Sequence, residues 1–500
     1  MRALMISAAA LALLQAAALP AAAQAAPASS PEARPMTAAD SAAGRRLREV
    51  LALIDAGDRR AARAYVEAHY APALLREVPV DAHLAELSQL HDLTRGMELK
   101  EVMGIEEGRA MARVRARLTE TWWRFGVMVE EEPPFRVIGS GYGPDLPPAP
   151  TSRIGDAEVA RDLEGFVRRV SGAGIFSGAV LVARDGKPVF QAAAGEANRD
   201  FGVPVTMETR FNLASMNKMF TAVAILQLAE AGKLSLQDPL SRHLPGFPTP
   251  EAAEKIRIEH LLTHTSGLGD FFTPKFDETR PTRLRTLDDY IAAAGADSLA
   301  FEPGTRWRYS NLGYVVLGKV IERASGQAYA DYVREHVWKP AGMSSTDLSD
   351  LDAINPGLAV PYDKVYTDAG VTFRNTLLDR GVRGGPAGGG ASTVGDLLRF
   401  AEALRGGKLV RAESLRLLTT PKPELRSPRY GYGFEILGEV GAVGHSGGTE
   451  GVSTNLDLFM EDGVVAVVLS NLSHGAEPVL MRVRDLVTAT RAPAAPVANR

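Results

Sequence analysis

Ser215 and Lys218 stand one helical turn apart in the segment Phe211-Asn212-Leu213-Ala214-Ser215-Met216-Asn217-Lys218-Met219-Phe220. A serine hydroxyl is inert near neutral pH unless a base takes its proton. A lysine serves as that base only where burial or neighbouring cations favour the free amine. Residues at i and i+3 share a helix face, so this spacing brings amine to hydroxyl. The apolar run 222–231, closed by Gly232, predicts a helix whose start carries both groups. There the helix dipole favours negative charge developing on oxygen. No other serine in the chain stands three residues before a lysine.

Two further segments carry chemistry. Tyr309-Ser310-Asn311 is the only Tyr-x-Asn. A phenol near two cations can ionise and relay protons, and an amide two residues on can orient a substrate carbonyl. His445-Ser446-Gly447-Gly448 holds the only His-x-Gly. A strand entering a glycine pair can aim a backbone N–H at the serine as an oxyanion donor. The same stretch, Gly444 to Gly448, also fits Gly-x-Ser-x-Gly, the nucleophile elbow of α/β-hydrolases. That elbow must run into a helix and further βα units. Here a strand hairpin follows, and the 52 residues left (500 − 448) hold one histidine, His474. His260 and His264 lie at i and i+4 without a carboxylate-rich partner set, so neither a metal nor a cofactor is expected.

These residues need a scaffold. Strand pairs are predicted at 179–183 with 189–193, turning at Asp185-Gly186, and at 454–460 with 464–469, turning at Asp462-Gly463. Asp-Gly between apolar runs is a strong hairpin signal. Mostly helical sequence separates the two pairs. A sheet built from both chain ends with a helical insertion makes residues 155–491 an α+β domain. Before it, residues 39–142 predict a smaller α+β accessory domain. Leu47, Val50, Leu51 and Ile54 recur at helical spacing, as do Ala62, Tyr65, Val66 and His69, and a third helix is expected over 82–93. Strands are expected at 97–103, 109–118, 121–129 and 135–138. In element order this region resembles NTF2-like or cystatin-like modules, and it carries no catalytic constellation. Gly141 opens the proline-rich run to Pro150, and 143–154 is expected to link the domains.

Bulk properties narrow the partners. A net charge of −4 and a pI of about 6.2 give no reason to expect nucleic acid or anionic membrane. The absence of cysteine excludes disulfides, thiolate nucleophiles and Cys-ligated metals. Arg2, the apolar run 3–19, Pro20 and the Ala-x-Ala site at 23–25 predict a secretory signal peptide over 1–25. A disordered lead-in over 26–38 and a loose tail over 492–500 are expected. The mature protein is therefore expected to be secreted or periplasmic, without a stable membrane anchor, and to act on a small-molecule or peptide substrate.

In this order and spacing, the three segments resemble the serine β-lactamase and penicillin-binding-protein family. The branch is that of class C β-lactamases, DD-carboxypeptidases, D-aminopeptidases and related esterases. The resemblance covers roughly residues 155–490 and includes Gly178-Ala179-Val180-Leu181-Val182, His260-Leu261-Leu262-Thr263-His264-Thr265-Ser266-Gly267-Leu268 and Gly388-Gly389-Gly390-Ala391-Ser392-Thr393. It implies Ser215 as nucleophile, Lys218 as its proton acceptor, and Tyr309 as acid and base for leaving group and water. Asn311 would hold the substrate amide, and His445, Ser446 and Gly447 would line the pocket. The N–H groups of Ser215 and Gly448 would form the oxyanion hole. The expected function is a serine hydrolase working through an acyl-enzyme on esters, peptides or β-lactams. The alternatives are a D-amino-acid peptidase or DD-carboxypeptidase, and a non-catalytic penicillin-binding module, which the intact Ser215, Lys218 and Tyr309 disfavour. One departure stands out. Members of this branch usually present Lys-Thr-Gly where this chain has His445-Ser446-Gly447, exchanging a permanent cation for a mostly neutral imidazole.

Overall fold

A computed structural model describes residues 41–491, apart from 107, 149–152, 274–275, 277–283, 296–297, 349 and 380. The expected signal peptide, the lead-in and the tail lie outside the described residues. The chain divides into two compact units, Met1–Thr151 with Val365–Thr372, and Ser152–Lys364 with Phe373–Arg500.

In the first unit, helices α1 (Ala42–Ala56), α2 (Arg59–His69), α3 (Pro72–Glu77) and α4 (Val80–Thr94) precede four strands. These are β1 (Met97–Glu106), β2 (Arg109–Ala116), β3 (Trp122–Val129) and β4 (Val137–Pro144), paired antiparallel in chain order. Leu47, Val50, Leu51 and Ile54 are all buried on α1, which packs against the sheet. Two features depart from the sequence reading. The fourth strand runs into the glycine-rich stretch assigned to the linker, because Tyr142 pairs with Phe125 across the ladder and their rings stack at 6.4 Å. The short α3, opened by Pro72 in its first turn, was not expected.

The second unit holds α5 (Asp156–Gly172), β5 (Gly178–Arg184), β6 (Lys187–Ala194), α6 (Asn217–Glu230) and α7 (Asn311–Ser325). Then come α8 (Val394–Arg405), β7 (Glu435–Leu437), β8 (Ala442–Thr449), β9 (Val452–Phe459), β10 (Val464–Ser470) and α9 (Ala476–Ala489). Six antiparallel strands order as β7-β8-β9-β10-β5-β6, so β10 pairs with β5 and joins the two ends of the chain. β9 and β10 are buried at every position. Ala179, Leu181, Ala183, Val465, Val467 and Leu469 join a core cluster that includes Leu397 and Phe400 of α8. Their neighbours Val180, Val182, Ala466 and Val468 point to the opposite face, which α5 and α9 cover. Covering on both faces explains why these strands are unbroken apolar runs rather than alternating ones.

α6 runs through this core and is buried at nearly every residue from Asn217 to Leu228. Phe220 meets Phe400 edge-on at 4.8 Å and Trp338 at 5.8 Å. A helix apolar on all sides is an interior helix, and this one fixes where its first turn points. α7 packs beside it. The middle residue of Tyr309-Ser310-Asn311 is the helix cap: Ser310 Oγ accepts the Gly313 N–H at 3.0 Å.

Candidate active site

Ser215 lies in a tight turn, Ala214–Met216, that leads into α6. Ala214 takes φ +44°, a left-handed conformation costly for a residue with a β-carbon. The surroundings impose it. The Ala214 N–H donates to Asn212 Oδ1 (2.8 Å), Leu213 N–H to the Gly390 carbonyl (2.7 Å), and Gly389 N–H to the Ala214 carbonyl (3.2 Å). Thr454 Oγ1 donates to the Leu213 carbonyl at 3.0 Å. A β-carbon on Gly388 would sit 2.9 Å from the Ala214 carbonyl, and one on Gly447 only 2.2 Å from that of Leu213. These glycines therefore let two other backbones press against the nucleophile turn. Ser215 itself is half-buried, between buried Ala214 and Met216.

Lys218 is fully buried, and its Nζ has three partners: Ser215 Oγ at 3.1 Å, Asn311 Oδ1 at 2.8 Å and the Ala387 carbonyl at 2.5 Å. Burial pushes the amine down to about 7, against the opposing pull of Asp270 and Glu435. Two of the three partners only accept. A neutral amine must spend its two N–H bonds on Asn311 and Ala387, which leaves its lone pair facing the Ser215 hydroxyl. The orientation of the Asn311 amide is set from its other side, because Nδ2 donates to Asp270 Oδ2 at 3.0 Å. The same carboxylate oxygen accepts the Asn311 backbone N–H at 3.0 Å, capping the positive end of α7.

Lys218 Nζ is 4.8 Å from the ring centroid of Tyr309. Burial pushes the phenol well above its ordinary value; Ser215 opposes that, while Glu435, Tyr314 and Asp270 add to it. The sequence reading put two cations beside this phenol. One of them, Lys218, is there; the fields of Glu435 and Asp270 add to burial, and the resting group is a neutral phenol able to donate a proton. His264 stacks against it at 4.2 Å and is flanked by Tyr314 and Tyr430. Its Nδ1 accepts the Ser310 N–H at 3.1 Å, and burial holds the imidazole neutral. His260 likewise accepts the Arg257 N–H through Nδ1. Among the described residues, no group of three or more His, Asp or Glu side chains is placed to hold a metal ion.

The third motif lies on β8, and β8 turns directly into β9 rather than into a helix, which rules out the elbow geometry. His445 is buried with both ring nitrogens engaged: Nε2 accepts from the Tyr430 hydroxyl at 2.7 Å, and Nδ1–H donates to the Ser446 carbonyl at 2.5 Å. Burial keeps it neutral. This corrects the expectation of a pocket-lining histidine, since the ring has no donor left for a substrate and acts as a brace. Ser446 and Gly448 are exposed, and the Ser446 hydroxyl donates to Glu435 Oε1 at 2.7 Å. Gly447 is buried against the nucleophile turn, so the first and third motifs meet there.

A family profile described as Beta-lactamase matches residues 161–489. The chain belongs to the beta-lactamase family. Among its relatives in that family is a penicillin-binding protein 33% identical over 322 residues, from Bacillus subtilis (strain 168), with 60% of this chain and 69% of that one covered. Esterase EstB of Burkholderia gladioli is 32% identical over 358 residues, covering 62% and 90%. Among solved structures, a D-stereospecific amidohydrolase from Streptomyces sp. superposes with a TM-score of 0.53 at 28% identity, covering 65% of this chain and 98% of that one. Site residues that the sequence reading missed are Asp270, Tyr430 and Glu435. Asp270 follows the stretch ending at Leu268 by two residues and was within reach of the motif comparison. Tyr430 and Glu435 have no signal in the sequence beyond preceding the third motif.

Proposed function

We propose that this protein is an exported serine hydrolase that forms an acyl-enzyme on ester or amide substrates. The observation that carries this reading is the lone pair of a buried, near-neutral Lys218 directed at the Ser215 hydroxyl by two obligate acceptors. Ser215 Oγ attacks the substrate carbonyl carbon while Lys218 Nζ takes its proton. The N–H groups of Ser215 and Gly448 receive the oxyanion. As the tetrahedral adduct collapses, the leaving group departs with a proton from the Tyr309 phenol, which is replenished from the Lys218 ammonium. Water then attacks the acyl-Ser215 ester by the same route in reverse, releasing the acid and restoring the hydroxyl. Relatives named as an esterase and an amidohydrolase support this substrate range.

A fluorophosphonate probe tests the reading directly. Mass spectrometry of the labelled protein is expected to place the adduct on Ser215, with p-nitrophenyl acetate hydrolysed by the unlabelled enzyme. Failure of both labelling and hydrolysis, or an adduct on Ser446, would overturn it. Export predicts that the periplasmic or secreted form begins shortly after residue 25.

A further inference from the structure

We propose that Glu435 sets the charge preference of the substrate, so that the site takes acyl donors bearing an ammonium beside the scissile bond and rejects those bearing a carboxylate. This rests on the hydrolase reading above and specifies its substrate class.

Glu435 sits on the edge strand β7, opposite Gly444 in the ladder with β8. Ser446 is the diagonal neighbour two residues on, on the same face. With no side chain at Gly444, the carboxylate reaches Ser446, and the 2.7 Å contact is a short hydrogen bond from hydroxyl to carboxylate. A hydroxyl has a single proton. Given to Glu435, it is not available to a substrate carboxylate, while the oxygen lone pairs can still accept from an ammonium. Glu435 thus puts a negative charge beside the motif in which the branch usually carries a lysine, with its Oε1 3.6 Å from His445 Nδ1.

The charges around the pocket point the same way. With the Lys218 amine lowered to about 7 and both His264 and His445 held neutral by burial, Glu435 and Asp270 are the acidic side chains flanking the reacting groups. Both are felt by Lys218 and by Tyr309. Arg484, a cation whose field reaches Glu435, already forks onto Asp457 at 2.7 and 3.1 Å. Arg308 lies on the Asp270 side and is solvent-exposed, with Nη2 4.0 Å from where a Gly269 β-carbon would stand. An incoming carboxylate at the third motif therefore meets like charge, whereas an ammonium meets an acceptor pair made of Ser446 and Glu435.

The test uses the full-length protein and p-nitroanilides that share one leaving group: D-alanine (cationic), N-acetyl-D-alanine (neutral) and N-succinyl-D-alanine (anionic). Rates are compared at a pH of about 7, where most of the D-alanine anilide carries its ammonium, and the ionisation of Lys218, common to all three substrates, cancels from the ratio. The wild type is expected to prefer them in that order. Glu435→Gln should shrink the cationic-to-anionic ratio of kcat/KM by about ten-fold, and Glu435→Lys should invert the preference. In the wild type the ratio should also fall as salt rises from about 20 to about 500 mM, as a charge effect requires. A ratio unchanged in both variants and insensitive to salt, with the neutral anilide still cleaved, overturns the role of Glu435 alone. No cleavage of any anilide or of p-nitrophenyl acetate overturns the hydrolase reading itself.

Discussion

Ser215 and Ser446 present the same side chain in opposite surroundings. Ser215 sits in a strained turn among buried residues and faces a buried amine whose basicity is tuned to near neutrality. Ser446 is exposed on a strand and faces a carboxylate. Carboxylates as a class are far weaker bases than free amines. The first partner can strip a hydroxyl of its proton, and the second can only borrow it in a hydrogen bond. Reactivity thus follows from what the fold places beside the oxygen, and the Gly-x-Ser-x-Gly pattern around Ser446 says nothing of that.

The sharpest way to break this comparison is to remove each hydroxyl in turn. Ser215→Ala is expected to abolish covalent labelling and lower kcat/KM for p-nitrophenyl acetate by about 10⁴-fold or more, while Ser446→Ala costs less than about ten-fold. The reverse order would exchange the two roles. Lys218→Met should cost about 10³-fold, within the range for a lost general base. In the wild type the same group sets the pH dependence. Its value is lowered from the usual 10.5 to about 7, so acid converts it to an ammonium that cannot accept a proton. The rate of ester hydrolysis should therefore rise with pH through a midpoint near 7. It should stay level through the ordinary tyrosine range, because burial raises the Tyr309 phenol above it.

Asp270 offers a smaller effect with a clearer signature. It fixes the Asn311 amide and pulls the Lys218 value upward. Asp270→Asn is expected to cost about ten- to a hundred-fold in kcat/KM, on the scale of a lost charged hydrogen bond. It should also move the rising limb of the pH profile to lower pH. A lower rate with an unmoved midpoint would reduce Asp270 to a helix cap. Smallest in rate is Tyr430→Phe, which leaves the buried His445 Nε2 without its donor. It should lower unfolding free energy by about 1–3 kcal/mol in a denaturant titration, with kcat/KM altered less than about five-fold. A large rate loss without destabilisation would return His445 to the pocket.

How legible each part was follows from how local its cause is. The Ser215–Lys218 pair, the helix after it and both Asp-Gly hairpins rest on spacings of a few residues, and each is found where the sequence places it. The α+β architecture followed from those hairpins lying at opposite ends of the domain. The partners of Lys218 were harder. Asn311 is 93 residues away and was read from its motif only as a substrate-orienting amide, not as a partner of Lys218. The Ala387 carbonyl is backbone, and any residue supplies one. Glu435 matters because a one-strand register brings it to Ser446, which no spacing rule encodes. The surroundings of the Tyr309 phenol were hidden for the same reason: Lys218, Asp270 and Glu435, whose charges act on it, come from distant segments. In the first unit, composition marked 141–144 as linker, and the cross-strand pairing of Phe125 with Tyr142 overrode it.

The strained Ala214 turn has a consequence in time as well as in space. Apart from the adjacent Asn212, the groups that hold it belong to Gly388–Gly390, Gly447 and Thr454, roughly 170 to 240 residues further along the chain. The strand that closes the sheet onto β5 comes later still, at Val464–Ser470. A chain emerging from the ribosome carries Ser215 long before it carries most of the means to bend the backbone around it. The hydroxyl stays an ordinary one until nearly the whole domain has been delivered and folded. Chains cut short before Val464 are accordingly expected to leave Ser215 unlabelled by a fluorophosphonate probe.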